Sequence, residues 1–502
     1  MKYKFIKNAM ILTATSLILR TVGIFFRIYL SNKIGPEGMG LYQLVFSIYI
    51  LAATLPTCGI STAVTRLVTE ELVSGSRHSV QKILRRSLIL TLGVSLICTA
   101  AVLFGANFIA EKFIKDSRAA LSIKILSLSL PFMGVSSCIK GYFIARRKAE
   151  KPSGAQLFEQ FVRIITIVFF INLFSQKGLA FVCAAILIGD TIAETASCVH
   201  LYILYEKDSR TLPGALHSRP SYRITPRLLK IALPIAGSHY LNSLLRTIEN
   251  LLVPNCLERY TGSKEISLSQ FGMLKGMALP ILFFPASFLT AMSTLLVPEI
   301  SEARSRKQTL RVESTVNRTM QITLTSSILI AGIFLILGPK IGKLVYGEEQ
   351  VGYLIRALSL IVPFMYLESV ASGILRGLDQ QLQSFKYSII DSSLRILLIF
   401  FMVPPMGMYG FLIIMVISNV LTSVLNIRRM LKVTGVKLKL VKWIISPTIA
   451  VITAGAITAM LFRPIISRGI LTFTILSGLS ISVLYFAFLF LTKTLTKQDI
   501  KP

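Results

Sequence analysis

Apolar runs of about twenty residues recur from one end of this 502-residue chain to the other, and no other feature constrains its fold as tightly. An α-helix rises about 1.5 Å per residue, so a run of that length crosses the ~30 Å hydrocarbon core of a bilayer. Backbone N–H and C=O groups in hydrocarbon have to be satisfied within their own segment, which makes such runs helices. We place fourteen, over residues 9–30, 40–64, 87–109, 119–142, 156–174, 179–203, 228–253, 271–297, 319–338, 353–375, 385–403, 408–427, 443–462 and 469–491. The expected fold is an all-α polytopic membrane protein. Composition agrees: 53% of residues are apolar and 15% charged, whereas soluble domains run near a quarter charged. An ordinary globular enzyme is excluded.

Lys and Arg outnumber Asp and Glu by 54 to 23, a net charge of +31. On a soluble protein that excess would point to nucleic acid. Here the cations lie in short clusters between apolar runs, so no nucleic-acid partner is expected. The side holding both termini carries 35 Lys and Arg and the other side 11, with eight inside the spans. The positive-inside rule therefore puts both termini in the cytoplasm. Lys2, Lys4 and Lys7 precede the first apolar run as in a secretory signal. Arg20 interrupts that run and no small-residue cleavage site follows, so it reads as a retained first helix.

The six cysteines (Cys58, Cys98, Cys138, Cys183, Cys198, Cys256) have no metal or redox spacing and read as packing residues. The four histidines are scattered, and neither a metal nor a cofactor is expected. No phosphate-binding G-x-x-x-x-G-K-[ST], H-E-x-x-H or G-x-S-x-G motif occurs. The chain is not expected to be an enzyme. Transport driven by an ion gradient or by the membrane potential remains.

Residues 126–133 (LSLSLPFM) recur as residues 358–365 (LSLIVPFM), an offset of 232. The same offset pairs Gly141 with Gly373, Glu159 with Asp391, Arg163 with Arg395 and Gly178 with Gly410; Pro56 and Glu70 pair with Pro285 and Glu299 at 229. A chain of matches at nearly constant spacing is a duplication. It equates helices 1–6 with helices 7–12 and leaves 13 and 14 outside. Expected domains are an N-lobe over 1–205, a basic cytoplasmic linker over 206–227, a C-lobe over 228–430, and helices 13–14 with a tail over 431–502. Six helices per repeat is even, so the lobes enter the membrane in the same sense, with a site expected between them. That is the plan of an alternating-access transporter. Pro56, Pro131, Pro234, Pro285 and Pro363 fall inside spans and are expected to kink them.

A cation at the bilayer centre costs at least ~2.5–3.5 kcal/mol. Lys124, Lys275 and Arg356 lie near helix ends and are expected to snorkel. Arg20 and Arg27 are seven residues apart and share a helix face, which is expected to line a hydrated cavity. Arg246 lies on the equivalent helix of the second half, with Glu249 three residues on. Glu159 with Arg163, and Asp391 with Arg395, are i,i+4 pairs at equivalent repeat positions. Their acid-first order favours self-neutralised structural pairs, and the functional alternative is a set of switchable ion pairs. Asp190 and Glu194 on helix 6 and Glu368 on helix 10 are candidates for proton or sodium coupling. An arginine-lined cavity suits a phosphate or pyrophosphate, which Arg binds bidentately.

Three stretches carry a resemblance: 19–23 (LRTVG) with Arg27, 34–42 (IGPEGMGLY), and 55–61 (LPTCGIS) with 66–68 (RLV). They resemble the opening of the polysaccharide and lipid II flippases of the multidrug/oligosaccharidyl-lipid/polysaccharide exporter superfamily, and sporulation members of that group in particular. The resemblance extends over the whole chain and implies fourteen helices, two six-helix lobes plus two. It implies outward flipping of an undecaprenyl-pyrophosphate-linked precursor, lipid II for spore cortex peptidoglycan, by a monomer in contact with membrane lipid. Arg20 matches a cavity arginine of that family, with Arg27 beside it; Arg246 and Glu249 are expected to join the headgroup cavity from their place on the equivalent helix of the repeat. It also implies a groove for the lipid tail at helices 13 and 14. The open alternatives are a flippase for another polysaccharide or teichoic precursor, a cation-coupled multidrug exporter, and a scaffold that recruits wall synthases.

Overall fold

The computed structural model describes residues 2–74, 77–174, 178–211, 223–436, 438–462 and 469–495, with side chains left out for residues 2–10, 74, 294 and 295. Residues 212–222, half of the expected basic linker, lie outside the described residues. The described chain is helical and no strand occurs in it. In chain order the helices are α1 Lys2–Thr57, α2 Ile60–Ser74, α3 Arg77–Phe108, α4 Ala119–Ser127, α5 Leu130–Ala145, α6 Glu150–Phe174, α7 Leu179–Ser209 and α8 Ile224–Thr261. They continue with α9 Lys264–Phe271, α10 Leu279–Ser305, α11 Thr309–Tyr346, α12 Glu349–Leu358, α13 Val362–Gly377, α14 Gln381–Thr434, α15 Ser446–Phe462 and α16 Ile470–Leu491.

Among the described residues, eleven helical stretches are long and apolar enough to cross a membrane. The difference from fourteen has two physical sources. The stretches Ile11–Val73 and Gln381–Thr434 run to 63 and 54 residues, far beyond the ~20 a single crossing needs. Both are interrupted: Gly35 sits at φ 70° inside α1 and Gly407 at φ 59° inside α14. Glycine adopts those left-handed angles without the Cβ penalty of other residues. The second source is α8, which is not among the eleven because Lys230, His239 and Asn242 dilute its most apolar stretch and Arg246 and Glu249 follow it.

Prolines explain other breaks. Proline lacks an N–H and disfavours helical geometry in the residue before it. Helix α4 stops at Ser127 and α5 starts at Leu130, with Pro131 in its first turn; α12 stops at Leu358 and α13 starts at Val362, with Pro363 in its first turn. A serine caps each break, Ser129 Oγ donating to Leu126 O at 2.8 Å and Ser359 Oγ to Arg356 O at 2.6 Å, and Ser127 O, which Pro131 cannot reach for want of an N–H, accepts from Thr99 Oγ1 at 3.1 Å. The repeated eight-residue segment thus makes the same break twice. Pro56 precedes a third, at Gly59 with φ +84°. Pro234 and Pro285 instead lie inside the continuous helices α8 and α10.

Contacts group the chain into two compact units, Met1–Leu19 with Leu41–Leu251, and Arg20–Gly40 with Leu252–Pro502. In the first, Leu67 and Val68 of α2, Ile83 and Leu84 of α3, Tyr142 and Phe143 of α5 and Leu201 of α7 form one buried cluster. In the second, α15 and α16 pack on α11 through Ile328, Leu337, Ala450, Ala454, Ile481 and Tyr485, and the Tyr485 hydroxyl donates to Thr325 O at 2.8 Å. Both α15 and α16 are apolar all round, with Ile452, Met460 and Val483 exposed, as suits helices that border lipid.

Within the second unit the segment after Gly35 lies backbone-on-backbone against the chain between α9 and α10. A Cβ at Gly40 would meet Leu268 O at 2.2 Å, and one at Gly272 would meet Pro36 O at 1.9 Å. Gly272→Val is therefore expected to cost about 1–3 kcal/mol or more by overpacking. Gly237→Ala, with nothing within 4 Å, is expected to be neutral or stabilising. Thermal unfolding in detergent checks both, and equal midpoints for Gly272→Val and wild type would contradict this packing.

Candidate functional site

The apolar character of α6 and α7 puts the charges they do carry at a premium. Arg163 of α6 gathers three carboxylates. Its Nη2 donates to Glu159 Oε1 at 2.7 Å and approaches Glu194 Oε1 at 3.5 Å, and its Nε donates to Asp190 Oδ1 at 2.8 Å. Nη1 donates to Gln160 at 2.9 Å. The Glu159 pair was expected from its spacing, whereas Asp190 and Glu194 were expected as separate coupling candidates. The structure joins all three acids on one guanidinium. A small residue permits it: a Cβ at Gly189 would meet the Ile167 side chain at 2.4 Å, so α7 sits close on α6 just where Asp190 must reach across. Thr166 ties the same crossing by donating to Gly189 O at 3.2 Å.

The register of the two helices was a readable signal. Arg163 stands 15 residues before Gly178, and Asp190 and Glu194 stand 12 and 16 after it. On an antiparallel hairpin those positions lie at the same depth.

The second half builds a smaller version in α14. Arg395 Nη2 donates to Asp391 Oδ2 at 2.5 Å and to Ser418 Oγ at 2.6 Å, and Ser418 Oγ donates to Asp391 Oδ1 at 2.6 Å. One acid, one base and one hydroxyl close on each other, and Asp391 is 4% exposed. Breaking a buried pair leaves a charge without its partner, at about 3–5 kcal/mol. Arg395→Leu is expected to lower the midpoint of thermal unfolding by that cost, and adding Asp391→Leu to recover much of it. An unchanged midpoint for Arg395→Leu would show that the pair carries no stability.

The arginines of the first helix behave differently. Arg20 is exposed, and its Nη1 donates to the Thr290 hydroxyl of α10 at 2.7 Å. Among the described residues it meets no carboxylate. Arg27 is half-buried, with Tyr346 of α11 within its electrostatic reach. Arg246 of α8 is exposed while Glu249 is 3% exposed, so the two point into different surroundings. Glu368 of α13 is half-buried. Of the three cations expected to snorkel, Arg356 is exposed, while Lys275 lies 5.8 Å from the Phe411 ring.

One polar centre escaped the sequence reading. Asp208, at the end of α7, accepts from the Tyr142 hydroxyl at 2.8 Å and Arg146 Nε at 3.1 Å, and Lys148 Nζ also reaches it. It fastens the turn between α5 and α6 to α7. Its three partners span only seven residues but lie about sixty from it in sequence, and no local spacing announces such a contact. The cysteines are all free, and among the described residues no group of three His, Cys, Asp or Glu side chains is placed to hold a metal ion.

Comparison with known proteins follows from this geometry. The family model described as "Polysaccharide biosynthesis protein" matches residues 5–303, and that described as "Lipid II flippase MurJ" matches residues 277–480. The chain is 27% identical to Stage V sporulation protein B of Bacillus subtilis (strain 168) over 99% of this chain and 97% of that protein. It is 23% identical to Lipid II flippase MurJ of the same organism over 76% and 74% of the two. Among solved structures, a multidrug resistance MATE family transporter of the MOP superfamily, in its inward-facing conformation, superposes with a TM-score of 0.65 at 16% identity. That match covers 86% of this chain and all of the transporter, and it establishes the transporter fold.

Proposed function

Since the chain belongs to the polysaccharide biosynthesis protein family, we propose that it flips an undecaprenyl-pyrophosphate-linked cell-wall precursor, lipid II for spore cortex peptidoglycan, from the cytoplasmic to the outer leaflet by alternating access. It is a multi-pass membrane protein of a transporter superfamily and not an enzyme. Likeness to Stage V sporulation protein B and to Lipid II flippase MurJ supports a lipid-linked precursor as its cargo. We count fourteen spans, dividing the two longest helical stretches at Gly35 and Gly407 and adding α8; an even number puts both termini on one side, and the excess of Lys and Arg on that side supports the cytoplasm. The driving force is an ion gradient or the membrane potential, and the chain works as a monomer.

The observation that carries this reading is the contrast among arginines. Arg163 and Arg395 are consumed by carboxylates, while Arg20 is exposed, donates to the Thr290 hydroxyl and meets no carboxylate among the described residues. A cation left exposed inside a span, about eleven residues past its start, is costly unless it serves an anion. Arg20 and Arg27 offer two guanidinium groups two turns apart on one helix, suited to the paired phosphates of a pyrophosphate. Arg246, on the equivalent helix of the repeat, offers the same chemistry. The prenyl tail stays in lipid, with helices α15 and α16 as its bordering groove.

The test is surface exposure of lipid II in cells depleted of their own flippase. Wild type is expected to restore exposure, and Arg20→Ala and Arg27→Ala at matched membrane levels to lose it. Restoration by the arginine variants, with loss on Asp190→Asn or Glu194→Gln, would move the essential charges from α1 to α7, and a cation-coupled drug exporter of the same superfamily would restore no exposure at all. No restoration by well-folded wild type would exclude lipid II and turn attention to teichoic or other prenyl-linked precursors.

A further inference from the structure

The cluster on α6 and α7 does not balance. Glu159, Asp190 and Glu194 converge on Arg163. Lys140 of α5 lies within electrostatic reach of Glu194 as a second cation. Three carboxylates against two cations leave one negative charge over. Asp190 is 8% exposed. Its Oδ1 accepts from Arg163, but its Oδ2 is buried with no hydrogen-bond partner among the described residues. A bare carboxylate oxygen about midway along an apolar helix is one of the most expensive groups a span can hold. The equivalent site in the second half has no such surplus, because Asp391, Arg395 and Ser418 close on one another.

We propose that Glu159, Asp190, Glu194 and Arg163 form a proton-binding site that holds one exchangeable proton on the Asp190–Glu194 pair. A proton fits where a metal ion does not. Arg163 already stands between the acids, within 2.7–3.5 Å of all three, in the position a coordinated cation would occupy. A metal ion would bring a second positive charge against the guanidinium. A proton neutralises the surplus without displacing anything, and crowded carboxylates share one in this way. It bonds to a carboxylate oxygen when taken from water and returns to water when released.

Among the described residues, the other titratable groups within electrostatic reach of the site are Lys140, the Tyr49 hydroxyl of α1 and Cys198 of α7. Tyr49 is already engaged with Ser129 Oγ and Met133 Sδ, both at 2.7 Å. This leaves the acid pair as the place for the proton. Linking that proton to passage of the headgroup rests on the flippase reading; its occupancy does not.

Infrared spectroscopy of the purified protein in lipid nanodiscs, without substrate, tests the site. The wild type is expected to show a protonated-carboxyl C=O band at neutral pH that amounts to one proton per chain. The band should shift in heavy water and disappear as the solution is made alkaline. It should be lost in Asp190→Asn/Glu194→Gln, kept in Asp391→Asn, and the same in sodium as in potassium. A wild type without the band overturns the proposal, whether or not the double variant folds. So does a band that survives in a folded double variant, or one that sodium removes, which would make this a sodium site. The two readings separate cleanly. A band in a chain that flips no lipid II leaves the proton site standing, and flipping by a chain without the band removes it.

Discussion

A guanidinium in hydrocarbon has to be neutralised, hydrated or carried to an interface, and the arrangement of this molecule follows from which route each arginine takes. Arg163 and Arg395 are neutralised by acids one turn before them. Arg356 is exposed near the end of its apolar run. Arg20 takes none of the inexpensive routes: it lies inside a span, exposed, against a single hydroxyl. The lipid-facing surface elsewhere is apolar, as Phe104, Met460 and Leu491 illustrate. Function is therefore expected where charge was left uncompensated, not where charge is merely present.

The duplication shows the same constraint resolved twice with different outcomes. One proline-bearing segment breaks both halves at equivalent places, between α4 and α5 and between α12 and α13. One acid–arginine pair recurs in both halves at the same register. What differs is the partner helix. Two carboxylates reach Arg163 from α7, whereas a serine reaches Arg395. A serine closes the site electrically, and two carboxylates leave it open. Two halves built on one plan have diverged at the positions of Asp190 and Glu194, where the offset of 232 places Thr422 and Asn426.

Much of this was legible in the sequence because the governing periods are long and simple. Apolar runs announce helices, and a constant offset announces the repeat. Pairs one turn apart, such as Glu159 with Arg163, are also visible, since the helix alone brings them together. Contacts between helices were harder. Asp190 and Glu194 join Arg163 because Gly189 lets α7 approach Ile167, and the role of that glycine depends on which helix lies opposite. Asp208 finds Tyr142, Arg146 and Lys148 across about sixty residues, with no spacing rule to predict it. Helix α8 was legible by its place in the repeat, although its composition falls short of an ordinary span.

The central claim is that the first-helix arginines hold a pyrophosphate, and binding tests it most directly. The purified chain would be titrated in nanodiscs with undecaprenyl pyrophosphate and, separately, with undecaprenol, which shares the tail and lacks the phosphates. The account predicts binding of the pyrophosphate lipid well above that of the alcohol. Arg20→Ala should weaken it about tenfold or more, the scale of one charge-assisted hydrogen bond. Equal binding of the two lipids, or full affinity in Arg20→Ala, would contradict it.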